Sequence, residues 1–270
     1  MTFLYLFFLF GCGLILGSFA NVLIDRRQRG EKIDGRSCCD FCGYQLAWYD
    51  NIPVLSFLFL GGKCRKCGRK LSWQYPIVEF GTGLLFLFVG LKFGGDFFAL
   101  DLWLIVEILY FLLIAFLLLV IFVWDLKYML IPDELVVLGI GSSLIYLFFK
   151  QFTSSCSWLD PNCFFLEALF GGLVVFGFFL LLFVFSKGKW IGGGDVKLGF
   201  LLGIVVGWRE SYMFLLLAYV VGALVSLILV AKNKKNLHSK IPFGPFLIVA
   251  TWIVLFFGEK LLQWYWGLFT

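Results

Sequence analysis

The sequence predicts an all-α polytopic membrane protein with about eight transmembrane helices and one small cysteine-rich domain. Of its 270 residues, 61% are hydrophobic and only 14% are charged. The mean hydropathy is +0.97. Soluble domains carry about 25% charged residues, so an apolar surface of this extent needs a lipid environment.

The apolar segments set the predicted number of helices. A membrane-crossing helix needs roughly 20 apolar residues, and eight stretches of the chain approach that length. One of them is short for a crossing, so we expect it to be tilted or partly buried among its neighbours. The stretches are about 3–24, 76–93, 99–124, 132–149, 164–186, 196–206 (the short one), 211–231 and 242–258.

The distribution of Lys and Arg predicts the orientation in the membrane. The loops on one predicted side (25–75, 125–131, 187–197 and 232–241) hold 18 of the 22 basic residues, and the other side holds four. Basic residues accumulate in cytoplasmic loops, so we expect both termini outside and the 25–75 segment in the cytoplasm. The formal net charge of +5 is therefore a topology signal for a protein in a lipid bilayer and does not indicate nucleic-acid binding.

The chain divides into three predicted parts. Residues 1–24 form the first transmembrane helix, 25–75 form a cytoplasmic cysteine-rich domain, and 76–270 form the transmembrane bundle. Two further cysteines, Cys156 and Cys163, lie in a loop on the predicted outer side. An oxidising compartment there would allow a disulfide between them.

Two cysteine pairs in the 25–75 domain have the spacing of a metal site. Cys39 and Cys42 form one C-x-x-C pair, and Cys64 and Cys67 form the other. Four thiolates at this spacing suit tetrahedral zinc, and a metal can supply much of the folding energy of so small a domain. We therefore expect a zinc-ribbon-like fold. The alternatives are four reduced, unliganded thiols, or Cys38 in place of Cys39, although the x2 spacing favours Cys39.

Two aspartates near helix ends are candidate catalytic residues. Asp125 directly follows the third apolar stretch, and Asp195 follows three glycines directly before the sixth. Ionisable residues at membrane depth are functional candidates by default, and both lie on the same predicted side. Two carboxylates that share a site keep one proton between them, so one can activate water while the other polarises a peptide carbonyl. The alternatives are that Asp195 only caps its helix and that Asp125 is an interfacial acid.

Other acidic residues have simpler interpretations. Asp133 and Glu134 follow Pro132, and we expect them in the first turn of a helix, where acids complement the helix dipole. Glu79 stands near the start of the second apolar stretch. We expect it to be another first-turn acid, with an unassigned role if it faces the bundle.

A series of short motifs runs in order over nearly the whole chain. They are Gly17–Val22 with Arg26, Arg36–Cys42, Leu46–Pro53, Gly62–Cys67, Tyr75–Glu79, Asp125–Lys127 with Ile131–Asp133, Gly192–Asp195 with Lys197, and Ile241–Pro245. In this order they resemble the motifs of type IV prepilin leader peptidases, which are Gly-x-Gly-Asp aspartic proteases. Two departures concern loop shape only: Asp40 stands where the family usually has Pro, and no Pro follows shortly after Arg26.

The resemblance implies a function and a location. It implies removal of the leader from prepilins or pseudopilins at the cytoplasmic face of the bacterial cell membrane, with Asp125 and Asp195 catalytic. It also implies N-methylation of the new N-terminus with S-adenosylmethionine, for which the chain has no separate glycine motif.

Two other interpretations are a presenilin-like intramembrane protease and a transporter with a zinc-ribbon domain. The cysteine-rich domain argues against the first, and the lack of related halves argues against the second.

Overall fold

The computed structural model of the protein describes residues 2–32, 34–94, 102–153, 163–232 and 241–267. Within these ranges the chain is helical, and its only β-pairings are two isolated bridges. This confirms the predicted all-α class. The α-helices are α1 (Thr2–Gln28), α2 (Leu55–Phe59), α3 (Gln74–Phe93), α4 (Leu102–Tyr128), α5 (Asp133–Thr153), α6 (Phe164–Ser186), α7 (Gly193–Val206), α8 (Ser211–Ala231) and α9 (Gly244–Trp266), with one 3-10 turn at Trp48–Asn51.

Seven of these helices are long and apolar enough to cross a membrane: α1, α3, α4, α5, α6, α8 and α9. They coincide with seven of the eight predicted stretches. Many of their large apolar side chains are exposed, such as Phe3, Leu4 and Phe185. Because such surface is costly in water, the protein is a multi-pass membrane protein.

Helix α7 is the short eighth stretch. Its 14 residues rise about 21 Å at 1.5 Å per residue, which is less than the hydrocarbon thickness of about 30 Å. It begins beside Phe183 near the end of α6, where a Cβ on Gly193 would lie 4.0 Å from the Phe183 ring. Just beyond its end, the Trp208 N–H donates to the Glu167 carbonyl in the first turn of α6 at 3.2 Å. The segment therefore runs back along most of α6 and is buried among its neighbours, as expected.

The chain forms two compact units, Met1–Val123 and Trp124–Thr270. In the N-terminal unit, glycines let α1 and α3 approach closely in an antiparallel pair. A Cβ on Gly13 would lie 2.7 Å from the Gly83 Cα, and one on Gly17 would lie 2.6 Å from the Glu79 Cα. Small residues at such positions are the usual means of close helix packing in membranes.

In the C-terminal unit, glycines likewise allow α6 and α7 to pack closely. A Cβ on Gly203 would lie 2.5 Å from the Gly171 carbonyl oxygen. Around this contact the core consists of fully buried side chains, among them Val175, Phe179 and Leu198. The packing holds the beginning of α7 in place, and that beginning carries Asp195.

Candidate active site

Asp125 lies in the last turn of α4, which continues to Tyr128, four residues beyond the predicted end at 124. The residue is only 4% exposed. Its Oδ2 atom is buried and has no hydrogen-bond partner among the described residues. A buried polar atom without a partner is costly, so this oxygen is suited to a ligand or substrate group.

Asp195 lies in the first turn of α7, where a carboxylate complements the helix dipole. Gly192 is the N-cap residue, and its backbone N–H donates to Asp195 Oδ2 at 3.1 Å. The other oxygen, Oδ1, is buried and has no hydrogen-bond partner among the described residues. Asp195 is therefore not the N-cap residue itself but lies at the third helical position, and its contact with Gly192 occupies only one of the two carboxylate oxygens.

The structure brings the two aspartates together in the C-terminal unit, where their carboxylates lie within range of direct electrostatic repulsion. Ile131, which follows α4, packs against the start of α7 and the start of α9. A Cβ on Gly194 would lie 3.1 Å from the Ile131 Cβ, and one on Gly244 would lie 3.5 Å from its Cδ1. The same Cβ on Gly244 would lie 2.6 Å from Asp125 Oδ2. The glycines therefore allow the backbone to approach the carboxylates closely.

Three neighbours of this pair were not singled out from the sequence as site residues. Asp133 lies in the first turn of α5, as expected, and its carboxylate forms an ion pair of 2.7 Å with Lys197 on α7. Tyr219 on α8 lies within electrostatic range of Asp195, and its ring centroid is 5.3 Å from that of Phe243. Asp133 and Lys197 stand inside recognised motifs of the sequence, whereas no motif included Tyr219.

The four predicted metal ligands form a cluster in the N-terminal unit. The Sγ atoms of Cys39, Cys42, Cys64 and Cys67 all lie within 4.8 Å of one another. The Cys39–Cys67 and Cys42–Cys64 sulfurs are 3.9 and 4.0 Å apart. The neighbouring Cys38 is exposed and outside the cluster, so Cys39 and not Cys38 lies with the other three sulfurs. Four cysteines in this arrangement can bind a metal ion.

The two knuckles have the same local backbone. The N–H groups of Gly43 and Gly68 donate to the carbonyls of Cys39 and Cys64 at 3.0 and 2.9 Å. Both glycines have positive φ, 65° and 69°, a conformation that favours glycine because it has no Cβ. This repetition explains why spacing alone was enough to find the cluster.

The thiols of the cluster differ in how readily they ionise. Backbone N–H groups of Cys67 and Lys66 lower the pKa of Cys64 to about 6. The Tyr44 N–H also favours the Cys42 thiolate, but burial and the neighbouring thiols outweigh it and raise the pKa of Cys42 to about 11. Ionisation of one thiol therefore raises the free-energy cost of ionising the next, and a bound divalent cation offsets that cost.

Three further expectations can be compared with the structure. Glu79 is not a first-turn acid: it lies in the second turn of α3 and is buried, at 8% exposure, because α1 packs against it at Gly17. Asp40, which departs from the family motif, forms a 2.8 Å ion pair with Arg29. Cys163 is disulfide-bonded, while Cys156 lies outside the described residues.

Fold and sites together define a polytopic membrane protein with a buried carboxylate pair in one unit and a four-cysteine cluster in the other. The bacterial A24 peptidase N-terminal domain matches residues 12–93, and the type IV leader peptidase family matches residues 111–227. The first match includes all four clustered cysteines, and the second includes both aspartates. The chain therefore belongs to the type IV leader peptidase family.

Full-length relatives agree with this assignment. The chain is 32% identical to a prepilin leader peptidase/N-methyltransferase of Pseudomonas aeruginosa, over 94% of this chain and 90% of the relative. It is 29% identical to a protein of the same name from Aeromonas hydrophila, over 98% and 95%. A third, from Bacillus subtilis, is 30% identical over 95% and 96%. No solved structure matches the chain.

Proposed function

We propose that this protein is an intramembrane aspartic endopeptidase that removes the leader peptide of type IV prepilins or pseudopilins, with Asp125 and Asp195 as its catalytic residues. The supporting observation is that each aspartate has one buried oxygen without a hydrogen-bond partner among the described residues. The start of α7, which carries Asp195, and Gly244, which lies against Asp125, also pack on the same residue, Ile131. Family membership and the names of the relatives support prepilins as the substrate class.

The mechanism follows from the sharing of one proton. Two carboxylates that share a site do not both ionise readily, so the proposed pair would carry a single negative charge. The ionised member takes a proton from water as the water oxygen attacks the scissile carbonyl carbon. The protonated member donates a hydrogen bond to the carbonyl oxygen and stabilises the tetrahedral intermediate. Collapse of the intermediate breaks the C–N bond, and the leaving nitrogen receives the proton held by the pair.

The proposed topology places this reaction at the cytoplasmic face. The 18-to-4 split of basic residues supports a cytoplasmic side for 25–75 and for the loops next to both aspartates. The return of α7 along α6 supports eight passes, which would leave both termini on the same side, and the charge split supports the outer side for them. We retain the predicted division into a first helix (1–24), a cytoplasmic domain (25–75) and a peptidase bundle (76–270).

The cysteine cluster is proposed to hold one structural zinc ion. Tetrahedral Zn–S bonds of about 2.3 Å place ligand sulfurs roughly 3.8 Å apart. The observed separations of 3.9 and 4.0 Å fit that geometry. Four cysteine ligands leave no open coordination position, so zinc would stabilise the 25–75 segment and take no part in hydrolysis.

The protein is also proposed to methylate the new N-terminal amine, with S-adenosylmethionine as donor. This rests on the relatives' names. The experiment that tests both activities is incubation of the purified, zinc-loaded protein with a prepilin and the donor in lipid or detergent. Mass spectrometry should find released leader and a methylated mature N-terminus. Intact prepilin after prolonged incubation would contradict the peptidase proposal, and cleaved but unmethylated product would contradict only the methylation proposal.

A further inference from the structure

We propose that the short helix α2 is an interfacial anchor, which inserts its apolar face into the adjacent leaflet of the bilayer and holds the cysteine-rich segment against the membrane surface. The partner is the lipid itself: acyl chains contact the apolar face, and anionic headgroups contact two lysines that follow the helix. The proposal concerns the N-terminal unit alone. It stands independently of the proposed peptidase and methyl-transfer activities.

One face of α2 is apolar and exposed. Leu55, Leu58 and Phe59 have the spacing i, i+3 and i+4, which places them on the same side of a helix. Their exposed fractions are 51%, 61% and 87%. Phe57 points to the other side and is buried. Contiguous exposed apolar side chains mark a surface that contacts a protein or a membrane.

The contacts of α2 with α3 indicate its depth in the membrane. Helix α3 has 20 residues, so it is about 30 Å long, which equals the hydrocarbon thickness. Its first residue, Gln74, therefore lies near the boundary between hydrocarbon and headgroups. The Val54 N–H at the start of α2 donates to Glu79 Oε2 at 2.6 Å, and Glu79 lies about 7.5 Å beyond Gln74 along α3. The start of α2 therefore lies at this boundary or just inside it.

The middle of α2 lies at the same boundary. The ring centroid of Phe57 is 4.9 Å from that of Trp73, the residue that directly precedes α3. Trp73 is exposed, and so are Ile77 and Phe80, which follow it on the same side of α3. Tryptophan is typical of the interface between hydrocarbon and headgroups. Helix α2 therefore adjoins the lipid-facing side of α3.

Strain at Val54 indicates that the position of α2 is enforced. Its φ of 61° is in the left-handed region, which β-branched residues rarely adopt. Such strain persists only where the surroundings determine it. Here the buried carboxylate of Glu79 accepts the Val54 N–H. This gives Glu79 a positioning role: it fixes the start of α2 at the depth where the apolar face meets lipid.

Two exposed lysines lie at the other end of α2. The Lys63 N–H donates to the Leu60 carbonyl at 3.2 Å, and Lys63 pairs with Lys70 in an antiparallel bridge. Lys70 is close in sequence to Trp73, so both ammonium groups lie near the headgroups. A lysine at this level strengthens binding to an anionic membrane roughly fivefold. The two side chains therefore complement anionic lipid.

A bilayer accounts for the apolar and the basic parts of this surface together. Interfacial helices bury an apolar face about 5–10 Å deep and carry basic residues at headgroup level. A second copy of the chain would present the same two lysines, so it would gain no charge complementarity from them.

The test places a photoreactive side chain on the proposed lipid-facing surface. In the full-length protein in bilayers, p-benzoylphenylalanine replaces Phe59 and, on irradiation, bonds covalently to whatever lies beside it. The matched control carries the same group in place of Gln28, the exposed last residue of α1. Because Gly17 packs against Glu79 and α1 continues for 11 residues beyond Gly17, Gln28 lies about 9 Å outside the hydrocarbon boundary.

We expect the yield of lipid adduct at position 59 to exceed that at position 28 on the order of tenfold. The same group in place of Leu58, on the same face, should give the same result and guards against a local disturbance at position 59. Adducts mainly with a second copy of the chain would overturn the proposal. Lipid adducts at positions 58 and 59 no more abundant than at position 28 would overturn it as well.

The lipid composition tests the role of the lysines. Phosphatidylglycerol in the bilayer should raise the lipid adduct at position 59 severalfold over a pure phosphatidylcholine bilayer. The combined change Lys63→Gln and Lys70→Gln should remove this increase. Equal yields in the two bilayers would overturn the recognition of anionic lipid, and an increase that survives in the double variant would overturn its assignment to Lys63 and Lys70.

Discussion

The substitution Gly244→Ala tests how closely the catalytic carboxylate is positioned. A Cβ at this site would lie 2.6 Å from Asp125 Oδ2, and real Cβ contacts are essentially never shorter than 3.0 Å. The oxygen must therefore move by at least about 0.4 Å, and by about 0.8 Å to reach an ordinary contact of 3.4 Å. A misplacement of about 1 Å at a reacting group can cost on the order of 100-fold in rate. We expect kcat for leader cleavage to fall by about that factor.

The fold should survive this change. Gly244 is the first residue of α9 and its φ is not positive, so alanine fits the backbone and has the higher helix propensity. The clash falls on a short side chain that can rotate, and the rotation is what removes activity. Gly141→Ala on α5 is the matched control, because nothing lies within 4 Å of its Cβ position. Wild-type kcat in Gly244→Ala, with normal amounts of folded protein, would refute the close placement of Gly244 against Asp125.

Three further outcomes are expected. Cys42→Ser should sharply lower the zinc content measured by elemental analysis, while Cys38→Ser should leave it near one per chain; equal content in both would contradict the metal site. Lys197→Met should cost less than ~1 kcal/mol in unfolding free energy, because its ion pair with Asp133 is exposed; a loss of several kcal/mol would mean that the pair is structural. In intact cells, a membrane-impermeant thiol reagent should leave the exposed Cys38 unlabelled until the membrane is permeabilised, and labelling of Cys38 before that would contradict the proposed orientation.

The helices and the cysteine cluster could be predicted because both depend on local patterns. Runs of apolar residues determine where membrane helices form, and the C-x-x-C spacing determines how each knuckle presents its sulfurs. The end of α4 was less predictable, because Asp125–Tyr128, with two charged residues among the four, continue a helix that the hydropathy pattern ends at 124. Helix ends depend on capping and packing as much as on hydropathy.

The parts that sequence reasoning missed depend on contacts between distant residues. Glu79 was expected in the first turn, but the close approach of Gly17 on α1 buries it in the second. The ion pair of Asp133 and Lys197 joins residues 64 positions apart. The approach of Gly244 to Asp125 likewise depends on how α9 packs, and no local sequence pattern predicts it.

The most direct test of the central claim is leader cleavage by Asp125→Asn and Asp195→Asn, measured by single-turnover kinetics on a purified prepilin. Each change keeps the side-chain volume but removes one member of the acid–base pair. We predict that each abolishes cleavage, while zinc content and the amount of protein in the membrane stay normal. Asp133→Asn, an exposed acid in the same unit, should retain most of the activity. Cleavage by either variant of the pair at a rate near wild type would contradict the assignment of these two aspartates as the catalytic residues.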